Sequence, residues 1–199
     1  MQKKTRYIIV TGGVISGVGK GIISSSVGTL LEAQGYSVEV MKIDPYLNVD
    51  AGTMIPTEHG EVFVTPDGFE TDQDLGNYYR FIKKYNPSKL NSVTSGQLFL
   101  NVIKGERAGK YKGKCVEIFP HIPEEVTRRI HQVRDKSYPD FVIIEIGGTA
   151  GEDQQKFFYG SVVDMKYNGE DVRHIHVGYA PITVKLGEQK SKPIQESVR

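Results

Sequence analysis

An α/β domain with a doubly wound, mostly parallel sheet is the fold this sequence predicts, and three observations carry the prediction. Two short continuous runs of apolar and β-branched residues, YIIV at 7–10 and FVII at 141–144, have the composition of parallel strands covered on both faces. Residues 21–34, which follow the first run across a glycine-rich turn, keep helical spacing. A second strand pattern at 37–43 completes a strand–helix–strand succession, which favours a parallel pair joined by a right-handed crossover.

The elements follow in order. In the first helix Ile23, Val27, Leu30 and Leu31 form the apolar stripe, and Gly35 supplies the stop. Residues 44–119 are rich in Gly, Asp, Glu and Tyr, with helices expected near 75–85 and 96–103. Pro123 with Glu124 and Glu125 opens another helix, whose buried stripe is Val126, Ile130 and Val133. The run at 141–144 then ends on Glu145, and 173–177 reads as a further strand. No internal repeat or low-complexity tract interrupts the pattern, so 199 residues make one domain with a substantial core.

Hydrophobic residues at 38% and charged residues at 25% are ordinary for a globular chain. A net charge of +1 gives no overall field for nucleic acid or for a membrane surface, so any polyanionic ligand must be met locally. One cysteine rules out an internal disulfide framework and fits a reducing compartment; Cys115 itself reads as a small buried residue beside a strand. The apolar run after the basic start is too short for a signal-peptide core, and nothing reaches the length of a membrane helix, so a cytoplasmic location is expected.

The turn after the first strand is TGGVISGVGKG, residues 11–21. Glycines let backbone N–H groups turn inward around phosphate oxygens, the helix N-terminus adds its positive end, and Lys20 adds a full charge. The candidate nucleotide-binding residues here are Ser16, Gly17, Val18, Gly19, Lys20, Gly21 and Ile22, and the fold they suggest is P-loop NTPase-like, of Rossmann-like type. Two departures from the standard loop stand out. Val14 holds the place of its first glycine, and Gly21 stands where a Ser or Thr ordinarily ligates magnesium. The same residues also admit a plainer reading, a glycine-rich turn beside a surface lysine; the strand before and the helix after favour phosphate.

Mg²⁺ takes oxygen ligands, usually one or two carboxylates with phosphates and water. Asp74 and Glu145 are the candidates, Glu145 because it follows a buried strand at the end where α/β sheets present their ligand crevice. Glu70, Asp72 and Asp74 lie close together, and a solvated acidic loop is an equal reading of that cluster. His174 and His176 alternate on an expected strand without a third ligand nearby, which favours packing over metal.

Six blocks, VTGGVISGVGKG (10–21), MKIDPY (41–46), EHGEVFV (58–64), DQDLG (72–76), IEIGGT (144–149) and GEQKSKPIQ (187–195), closely resemble the CTP synthase family, in order and spacing over nearly the whole chain. The resemblance implies a synthetase (amidoligase) domain that uses ATP to phosphorylate O4 of UTP and then lets ammonia displace that phosphate. It implies Lys20 on the ATP phosphates, Lys42 as a second cation, and Asp74 and Glu145 as magnesium carboxylates. It places Ser16, Lys190, Lys192 and Gln195 on UTP, and His59 where ammonia is admitted. Homotetramers are implied too. Without the family, the KSK at 190–192 is only a basic turn.

Two features depart from the family. AGEDQQ at 150–155 rearranges an acidic pair at a place associated with product and UTP contacts, which bears on CTP feedback. The sequence also stops at Arg199, short of further elements that hold adenine, with no glutaminase region and no nucleophile-elbow cysteine. A truncated synthetase domain is therefore expected, fed by free ammonia, a separate glutaminase or a longer chain. The competing readings are a nucleotide-binding paralogue without catalysis that assembles with full-length subunits, and a related P-loop amidoligase acting on a carboxylate.

Overall fold

The computed structural model describes residues 4–182 and 187–198; the first three residues of the basic start, and Arg199, lie outside them. Five strands, β1 (Arg6–Gly12), β2 (Val38–Asp44), β5 (Ser92–Thr94), β6 (Phe141–Ile146) and β7 (Asp171–Val177), form an all-parallel sheet in the order β5-β2-β6-β1-β7. A two-stranded antiparallel hairpin, β3 (Phe63–Val64) and β4 (Glu70–Thr71), stands apart from it.

Strand alternation sorts the core into two layers. Tyr7 and Ile9 of β1, Met41 and Ile43 of β2, and Val142, Ile144 and Ile146 of β6 face α4 (Ser95–Arg107), α5 (Ile118–Ser137) and α6 (Lys156–Tyr167). Ile8, Val10, Val40, Phe141 and Ile143 face α1 (Lys20–Ala33) and α3 (Gln73–Phe81). Because side chains repeat with period two, Lys42 and Asp44 share a face with Val40, and Glu145 with Ile143. Three charges are thereby directed at the α1/α3 layer near the carboxyl ends of their strands. That end lies where the chain passes from β1 leftward to β2 and later from β6 rightward to β7, the switch point at which such sheets hold ligands.

The expected strands and helices all appear, most of them a few residues longer than the sequence patterns. Gly35 takes φ 89° and ends α1 as predicted. Three expectations are corrected. Pro123 does not open its helix: α5 begins at Ile118, breaks at Phe119, and buries Pro123 within the first turn after the break. Proline is tolerated in a helix's first turn, where its fixed φ suits the helical backbone. The helix expected over 75–85 stops at Phe81, because the backbone N–H groups of Lys83 and Lys84 turn instead to the Glu32 carboxylate on α1, at 3.0 and 2.7 Å. Cys115 is exposed and flanks no strand.

α4 starts with Thr94 accepting from the Gln97 N–H at 3.1 Å, and its first turn presses against the loop after β2. A Cβ on Gly96 would stand 2.0 Å from the Leu47 carbonyl oxygen, which is backbone and cannot swing away. Gly96→Ala is therefore expected to destabilise the fold by roughly 2 kcal/mol or more, read as a lower urea midpoint at unchanged slope.

Candidate active site

β1 delivers the chain to the phosphate loop and α1 takes it away. Gly17 (φ 72°) and Gly19 (φ 106°) supply the left-handed turns that aim the loop inward. Val14 also has positive φ, 77°. It stands where a standard loop has glycine, and a β-branched residue held there stores strain of order 1–3 kcal/mol. The stem of Lys20 lies over the bare Cα of Gly12, where an added Cβ would meet its Cδ at 2.9 Å. Its ammonium donates to the Gly148 carbonyl at 2.8 Å. Burial lowers the Lys20 pKa and the nearby Lys42 ammonium lowers it further, against Glu145, Asp74 and Asp44. A phosphate group would relieve both.

Lys42 is the hub. Its ammonium donates to Asp74, lies 3.2 Å from Glu145 Oε1 and is 3.7 Å from Asp44 Oδ1. Burial opposes charge on it, but Asp44, Glu145, Tyr78 and Asp74 outweigh that and hold its pKa well above the usual lysine value. Glu145, 1% exposed, also accepts from Ser24 Oγ at 2.8 Å and Tyr78 OH at 2.6 Å through Oε2. Burial, then Glu145, pushes the Tyr78 phenol well up, so it remains a donor.

The acidic cluster at 70–74 is not a solvated loop. Asp72 caps α3 by accepting from the Asp74 N–H at 3.0 Å, and that cap puts Asp74 in the first helical turn, facing Lys42. Glu70 lies outside this arrangement, on β4.

Do these groups suit a divalent ion? A Cβ on Gly21 would stand 3.5 Å from Asp74 Oδ1 and 3.9 Å from Glu145 Oε2. Both carboxylates thus converge on the place where the ordinary loop hydroxyl would be, from two different parts of the chain. Two carboxylates beside a phosphate cradle is the donor set Mg²⁺ prefers. Among the described residues no cluster of three or more His, Cys, Asp or Glu is arranged for a metal; Mg²⁺ held by two carboxylates takes phosphate and water as its usual other ligands.

Asp44 was not singled out by the sequence. Burial pushes its carboxyl up to about 7; Lys42 pulls it down, and Asp72, Asp74 and Glu145 push it further up. A carboxyl poised there can exchange a proton near neutrality. It also sets a pH dependence. The folded chain holds this proton between about pH 4 and pH 7 while the unfolded chain has lost it, so the contribution of Asp44 to stability falls as pH rises through that window. In Asp44→Asn the slope disappears, and in EDTA the Tm of the variant relative to the parent is expected to rise from about pH 5 to about pH 8. A relative Tm that falls over that range contradicts the assignment.

One cavity of about 750 Å³ gathers these groups. Ser16, Gly17, Val18, Gly19, Lys20, Gly21, Ile22, Lys42, Asp44, His59, Asp74 and Glu145 all line it, within the size range of small-molecule sites. His59 ends the short helix α2 (Pro56–His59), its ring against Tyr46 at 5.6 Å between centroids. The structure does not bring Lys190, Lys192 and Gln195 to this wall. Lys192 and Gln195 lie on α7 (Lys192–Ser197), at the β7 side of the phosphate loop, and Lys190 pairs with Glu188 at 2.9 Å just before it. In the divergent segment 150–155, Glu152 accepts from the Thr149 N–H at 3.2 Å and Asp153 pairs with Lys156 at the surface.

Sequence reasoning missed Asp44, Ser24, Tyr78 and the Gly148 carbonyl. Asp44 had a signal, two positions beyond Lys42 on the same strand face; Ser24 and Tyr78 gave none, since a helical serine and tyrosine read as ordinary packing.

The family described as CTP synthase N-terminus matches residues 6–199. CTP synthases of Prochlorococcus marinus and of Synechococcus are each 49% identical over 197 residues, covering 98% of this chain and 37% and 36% of their own lengths. That of Aeropyrum pernix is 49% identical over 196 residues, covering 98% and 36%. The chain spans a little over a third of the length of these relatives. The kinase domain of the Escherichia coli tyrosine kinase ETK overlaps 96% of the chain and 73% of its own at 13% identity and a TM-score of 0.37, too weak a likeness to speak to fold or function. With the family match running over residues 6–199 and nearly half of all positions shared with these relatives, the chain belongs to the CTP synthase N-terminus family.

Proposed function

We propose that this chain is the synthetase domain of a CTP synthase, an ATP-dependent carbon–nitrogen ligase that aminates UTP. The observation that carries the reading is the convergence, in one cavity, of Lys20 with the Lys42–Asp74–Glu145 group. In the first step O4 of UTP attacks the γ-phosphorus of ATP and the bond to ADP breaks. In the second, ammonia adds at C4 and phosphate leaves with its electron pair, the surplus proton passing to solvent or a nearby base. Phosphate leaves readily where an unactivated O4 would not.

Lys20 would leave the Gly148 carbonyl for the β- and γ-phosphates and meet the charge that grows there during transfer. Asp74 and Glu145 would hold Mg²⁺, which when bound neutralises the phosphate oxygens and fixes their orientation. Lys42 holds those two carboxylates together and keeps a positive charge behind them. Ser16 would face UTP from the loop, Lys190, Lys192 and Gln195 from α7 and the segment before it, and His59 would stand at the ammonia entrance. A separate glutaminase domain or subunit, or free ammonia, supplies the nitrogen; homotetramers and a cytoplasmic setting belong to the same reading. Among the described residues no helix is long and apolar enough to cross a membrane.

The relatives are named CTP synthase at 49% identity, which favours this reading over a carboxylate-activating amidoligase or a non-catalytic paralogue. The test is phosphate release from ATP. It is expected to require UTP, Mg²⁺ and ammonium together, and release that proceeds equally without UTP rejects the proposal.

A further inference from the structure

Thr11, His174, His176 and Ser197 form a hydrogen-bonded row that no step above uses. β1 and β7 pair with Ile9 opposite His174 and Thr11 opposite His176, so the three side chains lie on one face, the face away from Lys42 and Glu145. Thr11 Oγ1 is 2.7 Å from His174 Nε2 and 2.9 Å from His176 Nδ1. His176 Nε2 is 3.1 Å from Ser197 Oγ, and Ser197 Oγ donates to the Ile194 carbonyl at 2.8 Å.

Counting protons orients the row. A hydroxyl has one hydrogen, and that of Ser197 is committed to Ile194, so Ser197 can only accept from His176. Neutral His176 then carries its proton on Nε2 and presents a bare Nδ1, to which Thr11 must donate. Having spent its hydrogen, Thr11 accepts from His174, whose proton is therefore also on Nε2. Burial, with His176 as neighbour for His174 and Lys20 for His176, lowers both imidazole pKa values, which keeps the rings neutral.

The end of the row is α7. Ser197 packs on Gly13, where a Cβ would stand 2.4 Å from Ser197 Cβ and 2.8 Å from His176 Nε2. Ile194 packs on Gly178, where a Cβ would meet its Cγ1 at 3.1 Å. Two bare backbone positions thus make a seat, and the polar row sets how the helix lies in it.

We infer that Thr11 and His176 are positioning residues that latch α7 onto the root of the phosphate loop through a single proton-ordered chain, His174 to Thr11 to His176 to Ser197. This deepens the proposed function, and rests on it, in one respect: Lys192 and Gln195 ride on α7, so the latch sets how the UTP-facing side chains stand relative to the ATP loop.

Long-range proton–nitrogen NMR of the imidazoles is expected to show both His174 and His176 as Nε2–H tautomers; a Nδ1–H tautomer at His176 overturns the ordering. Amide exchange of residues 194–197 is expected to speed up roughly tenfold in Thr11→Val and to return to the parent rate in Thr11→Ser, which keeps the hydroxyl. Equal protection in Thr11→Val and the parent overturns the latch. UTP affinity by calorimetry is expected to fall roughly tenfold in Thr11→Val and recover in Thr11→Ser. A parent chain with the predicted tautomers and a protected α7 that binds no UTP upholds the latch and removes the UTP reading of α7.

Discussion

Lys20→Ala is expected to lower UTP-dependent phosphate release at least a hundredfold. The group removed is the one full positive charge that the phosphate loop contributes to the cavity, on a stem packed against the bare Cα of Gly12. Preorganised donors of this kind commonly supply about 3 kcal/mol or more of transition-state stabilisation, because they need no reorganisation when charge develops. The fold should tolerate the change. Burial already disfavours the charged lysine, so its loss removes an unfavourable group as well as one hydrogen bond. The check is a rate measured at saturating ATP and UTP with Tm recorded alongside. An unchanged rate refutes the assignment, and a collapsed Tm would transfer the effect to folding.

Lys42→Met should act in the opposite proportion, chiefly on stability. Lys42 is buried and serves Asp74, Glu145 and Asp44 at once, so methionine leaves three carboxylates facing one another without their shared cation. Breaking a buried ion pair from one side typically costs about 3–5 kcal/mol. For a chain of this size that is a fall in Tm on the order of 10 °C. The variant carries a second signature. Mg²⁺ held as proposed would compete in the parent with an ammonium already seated between Asp74 and Glu145, whereas in the variant it would meet uncompensated charge. Added Mg²⁺ should therefore raise the Tm of Lys42→Met more than that of the parent. Equal shifts would mean that the ion binds elsewhere.

The layers of this fold were legible because its central strands repeat with period two and its helices with period 3.6. The run at 141–144 announced a doubly buried strand, and β6 is buried along its whole length. β5 was not legible: three residues, Ser92, Val93 and Thr94, are too few for any period to show, and two of the three are polar. The hairpin of β3 and β4 escaped for the same reason. α6 was missed because its small, aromatic and polar residues carry no clear stripe, though Phe157, Phe158 and Met165 are buried.

At the candidate site, Lys20, Asp74 and Glu145 stood out by residue type and position, and Lys42 through the family resemblance alone. Lys20, Lys42, Asp74 and Glu145 do meet, even though 103 positions separate Lys42 from Glu145 in the chain. What sequence could not show is how each is held. The cap by Asp72, the donors Ser24 and Tyr78 on Glu145, and the seat of α7 on Gly13 and Gly178 depend on chain segments that become neighbours only on folding.

Gly21 bears on how portable this loop is. In an ordinary phosphate loop, metal and phosphate affinity travel together on one short peptide, since the hydroxyl follows the lysine directly. Here the two are divided, with the phosphate cradle at 12–20 and the carboxylates on α3 and β6. Transplanting 11–21 into a foreign sheet would carry anion affinity across and leave cation affinity behind. Within this chain the proposed assignment carries a thermodynamic linkage: a metal–nucleotide complex held by both parts would fasten α3 to the sheet, and whatever loosens α3 would weaken that complex by the same free energy.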